Sequence, residues 1–273
     1  MTIAEKRKAM SKSILGTRKK LAALDDKTRS ETLRYLKDLR SDLRMAVVGA
    51  EGWEARYLAK IQDTISQSIR RFEGGLSATV SANQDVAWDI GSQGVDSFIS
   101  SGGILAKPPA LSNAQLLVLR DFSADLITDL AREALAKVNS AVALGVVGAR
   151  SPYETMKEID KVLGTTLDKG VTARAEKIAR TEVGRVQAVA GQLRMEQMQT
   201  VVPELKKQWI TGINARDSHA EMDGQVKPAD EPFELIGRDG NTYYPMEPRD
   251  PLLPAEEVVN CNCDSIPYLE GVE

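Results

Sequence analysis

Aromatic side chains are scarce in this sequence: Trp, Tyr and Phe make up 5% of its 273 residues. Histidine occurs once, at position 219, and cysteine twice, at 261 and 263. Neither sign of charge dominates, since 36 basic residues face 39 acidic ones for a formal net charge of -3. Each shortage excludes something. A nearly balanced chain is not coated in cations for nucleic acid, although a local basic patch is compatible with it. No segment approaches the roughly 20 consecutive apolar residues of a membrane span. Residues 1–20 are charged throughout and lack the apolar core of a secretory signal. The chain is therefore expected to fold in cytoplasm, without a membrane partner. Two cysteines one residue apart would close a tiny, strained disulfide ring, so a free thiol pair or a metal site is expected instead. A glycine-rich phosphate loop, a nucleophile elbow and a His-Glu-x-x-His helix are all missing. No catalytic residue, bound organic cofactor or small-molecule substrate is expected, and no enzymatic activity.

What is abundant is the material of helices: Ala, Leu, Arg, Glu, Lys and Gln. Leu33, Leu36, Leu39 and Leu43 recur every three or four residues, which predicts a helix over 28–48. Trp53, Tyr57, Ile61, Ile65, Ile69 and Phe72 predict a second, ended by Gly74-Gly75. A third segment over 76–101 contains Gly91 and Gly94, which argue against one straight helix. Gly102-Gly103 and Pro108-Pro109 form the clearest break. Helix resumes after Ser112, an N-cap candidate, and runs to about Leu144. Ser151-Pro152-Tyr153-Glu154 reads as a capping box opening a short helix to Leu163. Gly164 and Gly170 bracket a loop before a long helix over 172–199. Prolines at 228, 232, 245, 248, 251, 254 and 267 then forbid long helices. Strands are expected at 207–211 and 241–244. The fold class is mainly α with a C-terminal α+β module: a helical N-terminal region followed by a small, loop-rich domain. The expected division is 1–110 helical region, 111–170 helical connector and 171–273 C-terminal module, the last self-contained.

Three features in the last hundred residues belong together. They are Ala179-Arg180-Thr181-Glu182 on the long helix; Trp209 followed by Arg216, His219, Asp223 and Gly224; and Asn260-Cys261-Asn262-Cys263 after a proline-rich stretch. In that order they resemble the phage head-morphogenesis family, the minor head proteins similar to protein F of phage Mu and its counterpart in phage SPP1. The resemblance covers about residues 172–265. Asn262 stands where that family usually has Arg, and Gly212 and Asn214 stand where it often has Asp and Arg. The resemblance implies a minor head protein in the virion, assembled in the bacterial cytoplasm. It further implies contact with the portal protein or the major capsid protein, and an influence on DNA packaging or ejection. Residues 1–110 are expected to supply most of that contact.

His219, Cys261 and Cys263 admit two readings: a metal site, zinc being the common partner of thiolate and imidazole, or a metal-free hydrogen-bonded core. Asp217, Asp223 and Asp264 are the candidates for a fourth ligand. Either way His219 is expected near both sulfurs. Arg180 or Glu182 is expected to tie the long helix to the His219 turn, Asp223-Gly224 to form a turn and Trp209 to anchor the core. Two other functions remain open. One is a metal-dependent hydrolase or toxin-like domain centred on His219, Cys261 and Cys263. The other is a DNA-binding ejection protein using the basic stretches Lys6-Arg7-Lys8 and Arg18-Lys19-Lys20.

Overall fold

The structure, a computed structural model, describes residues 1–148, 150–164 and 169–271. The centre of the loop between Gly164 and Gly170 lies outside the described residues. Five helices come first: α1 (Ile3–Val48), α2 (Leu58–Ser101), α3 (Ala114–Val147), α4 (Pro152–Leu163) and α5 (Gly170–Gln199). The C-terminal module follows, with β1 (Lys206–Ile210), α6 (Asp217–Ala220), β2 (Val226–Pro228), β3 (Leu235–Ile236), β4 (Thr242–Tyr243), α7 (Ala255–Val258) and β5 (Asp264–Tyr268). The chain is mainly α with a C-terminal α+β module, as its patterning requires. No described helix is long and apolar enough to cross a membrane.

Helix ends follow the local chemistry. α1 begins 25 residues before the first expected turn, at Ile3. A capping box opens it: the Glu5 amide donates to Thr2 Oγ1 (3.2 Å) and the Thr2 amide to Glu5 Oε2 (2.7 Å). α2 ends in a Schellman motif, in which the Ile104 amide donates to the Ile99 carbonyl and the Gly103 amide to that of Ser100, with Gly103 at φ 79°. Ser112 Oγ accepts from the Ala114 amide (3.2 Å), and Ser151 with Glu154 completes the box expected for α4.

The expected ends at Gly74-Gly75 and near Gly91 do not occur, and α2 runs through all four glycines. Close approach explains three of them. A Cβ on Gly75 would stand 2.3 Å from the Tyr35 ring, one on Gly91 2.3 Å from the Gln187 carbonyl oxygen, and one on Gly94 2.8 Å from Thr17. Glycine here lets a neighbour in; helix hydrogen bonding continues past it.

Two compact units divide the chain, and both are discontinuous in sequence. One comprises 1–26, 83–119 and 180–273; the other comprises 27–82 and 120–179. The units therefore cut across divisions at residues 110 and 170. In the helical unit, Leu39 and Leu43 of α1, Ile65 and Ile69 of α2, Leu130 of α3 and Ile159 of α4 are buried. The Trp53 indole donates to the Arg150 carbonyl (2.7 Å) there, and Arg40 pairs with Asp160 (3.0 Å).

The other unit corrects the picture of a self-contained module. Met10, Val95, Phe98 and Ile99 share one core with Met195, Met198, Leu205, Ala229 and Leu269. Its antiparallel sheet has the order β2-β1-β5, with Lys206 opposite Tyr268 and Trp209 opposite Ser265. Pro228 and Pro267 lie on the two edge strands, where no ladder amide is lost. β3 and β4 form a separate two-stranded ribbon.

Candidate metal centre

β1 alternates its side chains so that Lys207 and Trp209 both point inward, each fully buried. Trp209 meets His219 edge-on at 5.7 Å and Phe233 at 5.3 Å between ring centroids. Met222, Phe233, Leu235, Leu253 and Val258 complete this second core with Cys261 and Cys263.

The turn after β1 is closed by backbone and carboxylate together. Gly224, at φ 79°, donates its amide to the Trp209 carbonyl (2.9 Å). Asp223 accepts from the Thr211 amide (2.8 Å) and hydroxyl (3.0 Å). This loop folds α6 back so that His219, 1% exposed, faces the C-terminal cysteines across 42 residues of chain. Arg216 clasps the far side, donating to the Glu257 carbonyl (3.1 Å) and to that of Val259.

His219 Nδ1 stands 3.5 Å from both Cys261 Sγ and Cys263 Sγ, and the three ligand atoms lie within 4.8 Å of one another. This cluster can hold a metal ion. The hydrogen bond from Cys263 draws the Cys261 thiol far below its ordinary range, and His219 and Arg249 add to the effect. The same bond, with burial, pushes Cys263 upward. The thiolate is the form of cysteine that ligates metals.

On its far side, His219 Nε2 lies 3.1 Å from Glu257 Oε2, and Glu257 is fully buried. Ser218 Oγ donates to the same oxygen (3.0 Å) and the Arg238 amide to Oε1 (2.8 Å). Arg249 joins the cysteine loop to α5, donating from Nε to the Cys261 carbonyl (2.9 Å) and from Nη1 to the Gly184 carbonyl (3.1 Å). Neither Glu257 nor Arg249 carries a spacing signal. Their roles follow from chain reversals that sequence periodicity does not encode.

Several expectations are corrected. The bidentate partner of Arg180 is Asp25 of α1 (2.7 and 2.9 Å), and Glu182 pairs with Arg185 on its own helix (3.0 Å). Arg249 and Thr181 tie α5 to the cysteine loop, Thr181 Oγ1 accepting from the Asn260 amide (3.2 Å). Asp217, Asp223 and Asp264 are outside the cluster. Asp264 accepts from Gln187 (3.5 Å) and from the Ser265 amide (2.9 Å), and Asp217 is exposed on α6. Gly212 and Asn262, two of the unusual positions, pack on each other: a Cβ at 212 would stand 2.4 Å from the Asn262 carbonyl oxygen. Asn214 occupies the left-handed region at φ 59°, which Asn tolerates better than most residues.

A second buried polar centre lies under the sheet. Lys207 Nζ donates to the Met246 carbonyl (2.7 Å) and to Gln192 Oε1 (3.0 Å), and sits 4.9 Å from the Phe233 ring centre. Desolvation lowers its pKa to about 8. Desolvation, with the charge of Asp250, raises Glu247 to about 8.

Comparison with known proteins adds three findings. Residues 136–266 match the family described as Phage Mu protein F like protein. NAD(+)--arginine ADP-ribosyltransferase EFV of Enterococcus faecalis (strain ATCC 700802 / V583) is 33% identical over 103 residues, which are 36% of this chain and 20% of that protein. The chain thus spans about a fifth of that relative's length. No solved structure matches the chain.

Proposed function

We propose, from the match of residues 136–266 to the phage Mu protein F-like family, that the protein is a minor head protein of a tailed bacteriophage. In this reading it joins the procapsid in a few copies at the portal, contacts the portal or major capsid protein, and acts without chemistry of its own. The observation that carries it is that the matched segment includes the whole constellation of Arg180, Glu182, Trp209, Arg216, His219, Asp223, Gly224, Cys261 and Cys263. Burial supports the absence of catalysis. The single histidine is 1% exposed, Cys261 5% and Cys263 2%. A catalyst must touch its substrate, and these groups face the interior.

The cluster holds structural zinc in the same reading. Sulfur at about 2.3 Å and nitrogen at about 2.0–2.1 Å from a tetrahedral zinc stand about 3.5 Å apart. That is the spacing of His219 Nδ1 from each sulfur. Bound there, zinc would staple the α6 turn to the cysteine loop in a small module that has few aromatics.

Asymmetric reconstruction of particles carrying a tagged chain tests the assignment. Tag density at the portal vertex is the expected result; a chain absent from particles, or spread over the capsid faces, overturns it. The partial likeness to the transferase is tested on the purified protein. No transfer of label from NAD+ to an arginine acceptor is expected, and transfer would make the chain an enzyme.

A further inference from the structure

The first turns of α1 carry a feature that neither the metal centre nor the fold uses. Residues 6–20 hold Lys6-Arg7-Lys8, Lys12 and Arg18-Lys19-Lys20 with no acidic residue among them, a charge of +7 in a chain whose net charge is -3. Lys8, Lys12, Leu15 and Lys19 recur at i, i+4, i+7 and i+11, so they line one helix face over about 16 Å. All four are exposed, and among the described residues the three lysines have no anionic partner. Elsewhere cations are commonly paired, as Arg194 is with Asp96 and Arg71 with Asp42. The opposite face of the same turns is fixed. Met10 is buried with Phe98 and Ile99, and Thr17 packs on Gly94.

We propose that this lysine face binds the phosphate backbone of double-stranded DNA without sequence preference. The charge sign selects a polyanion, and the rest of the surface narrows the choice. Stacking on unpaired bases needs aromatic rings, and the first aromatic residue is Tyr35. Insertion into an anionic membrane needs the apolar face of the helix, which here is buried in the core. Lysines on a flexible stem meet phosphates as point charges, and the face carries no Asn or Gln to read adenine edges. A straight row of cations on a rigid helix suits a duplex, whose phosphates repeat at a fixed spacing. The inference draws on the head-protein reading only in that a packaged genome supplies the duplex.

The test measures fluorescence anisotropy of random-sequence 30-base-pair duplexes with the full chain over a range of salt. Log K is expected to fall linearly with log salt, and equally for unrelated sequences. The triple variant Lys8→Gln, Lys12→Gln, Lys19→Gln should reduce the magnitude of that slope by about 2.7, from roughly 0.9 per lost phosphate contact. Its thermal unfolding should stay unchanged, because the three side chains are exposed. Neutralising Lys60, Lys137 and Lys161, which have carboxylate partners, should leave the slope as it was. No binding to the duplex, an unaltered slope in the triple variant, or affinity for single strands, polyglutamate or anionic vesicles equal to that for the duplex would each overturn the proposal. Incorporation into particles is read separately. Failure of DNA binding is therefore distinguishable from failure of the head-protein assignment.

Discussion

Trp209 couples the sheet to the His219 and cysteine cluster, because the same indole packs on Phe233 and on the edge of His219. Trp209→Ala should destabilise the chain by about 3–5 kcal/mol in denaturant unfolding, the cost of a large cavity at a fully buried site. A loss under 1 kcal/mol would mean that the two rings do not depend on it. Glu257 acts through His219. An outer carboxylate fixes the tautomer and aim of a ligating imidazole, so Glu257→Gln should weaken zinc binding by about 10–100-fold in chelator competition. Unchanged zinc affinity would remove Glu257 from that role. Glu247 makes a pH prediction. Its folded-state pKa is raised from 4.5 to about 8, so the folded chain holds a proton that the unfolded chain releases near its ordinary value. The resulting stability is full below about pH 4.5 and is lost as pH rises through about 8. Urea unfolding at pH 5 and pH 8 should show that decline, and Glu247→Gln should flatten it.

At the scale of elements, glycine within α2 has two opposite meanings, and substitution separates them. Gly91→Ala would drive a methyl group to 2.3 Å from the Gln187 carbonyl oxygen and 2.9 Å from the Gly191 amide nitrogen. Those are backbone atoms that cannot rotate away, so a loss of about 1–3 kcal/mol is expected. Gly74→Ala meets nothing within 4 Å and should gain up to about 1 kcal/mol from helix propensity. Thermal melts of both variants check the pair; equal effects would contradict the close approach at Gly91. The capping signals at Ser112 and Ser151 were legible because a cap is a contact between residues two or three apart. The same logic exposes a signal left unused, Thr2 and Glu5, three apart, which starts α1. Glycine inside a helix is not legible in this way. Whether it breaks the helix or admits a neighbour depends on what lies across from it.

For the whole molecule, the shared core of Met10, Val95, Phe98 and Ile99 with the C-terminal segment decides which pieces can fold alone. A fragment beginning at Ser112 lacks all four of those side chains. It should show no cooperative unfolding transition, whereas the full chain should. A fragment that unfolds cooperatively would restore an independent C-terminal module.

The sequence by itself determined the helical class, most helix boundaries and the ordered set of residues on which the family likeness rests. It also marked the one histidine and two cysteines as candidates to meet. These depend on short-range periodicity, local capping and residue chemistry, which the linear order carries. Only the tertiary structure decided that α2 is unbroken, that Arg180 reaches Asp25, that Glu257 stands behind His219, and that residues 1–26 and 83–119 share a unit with the module. Each of these rests on positions far apart in the chain, such as 219 with 257, 38 apart, and 25 with 180, 155 apart. Such pairings are selected by which buried faces and charges fit once the chain has folded back on itself, and no spacing along the chain records them.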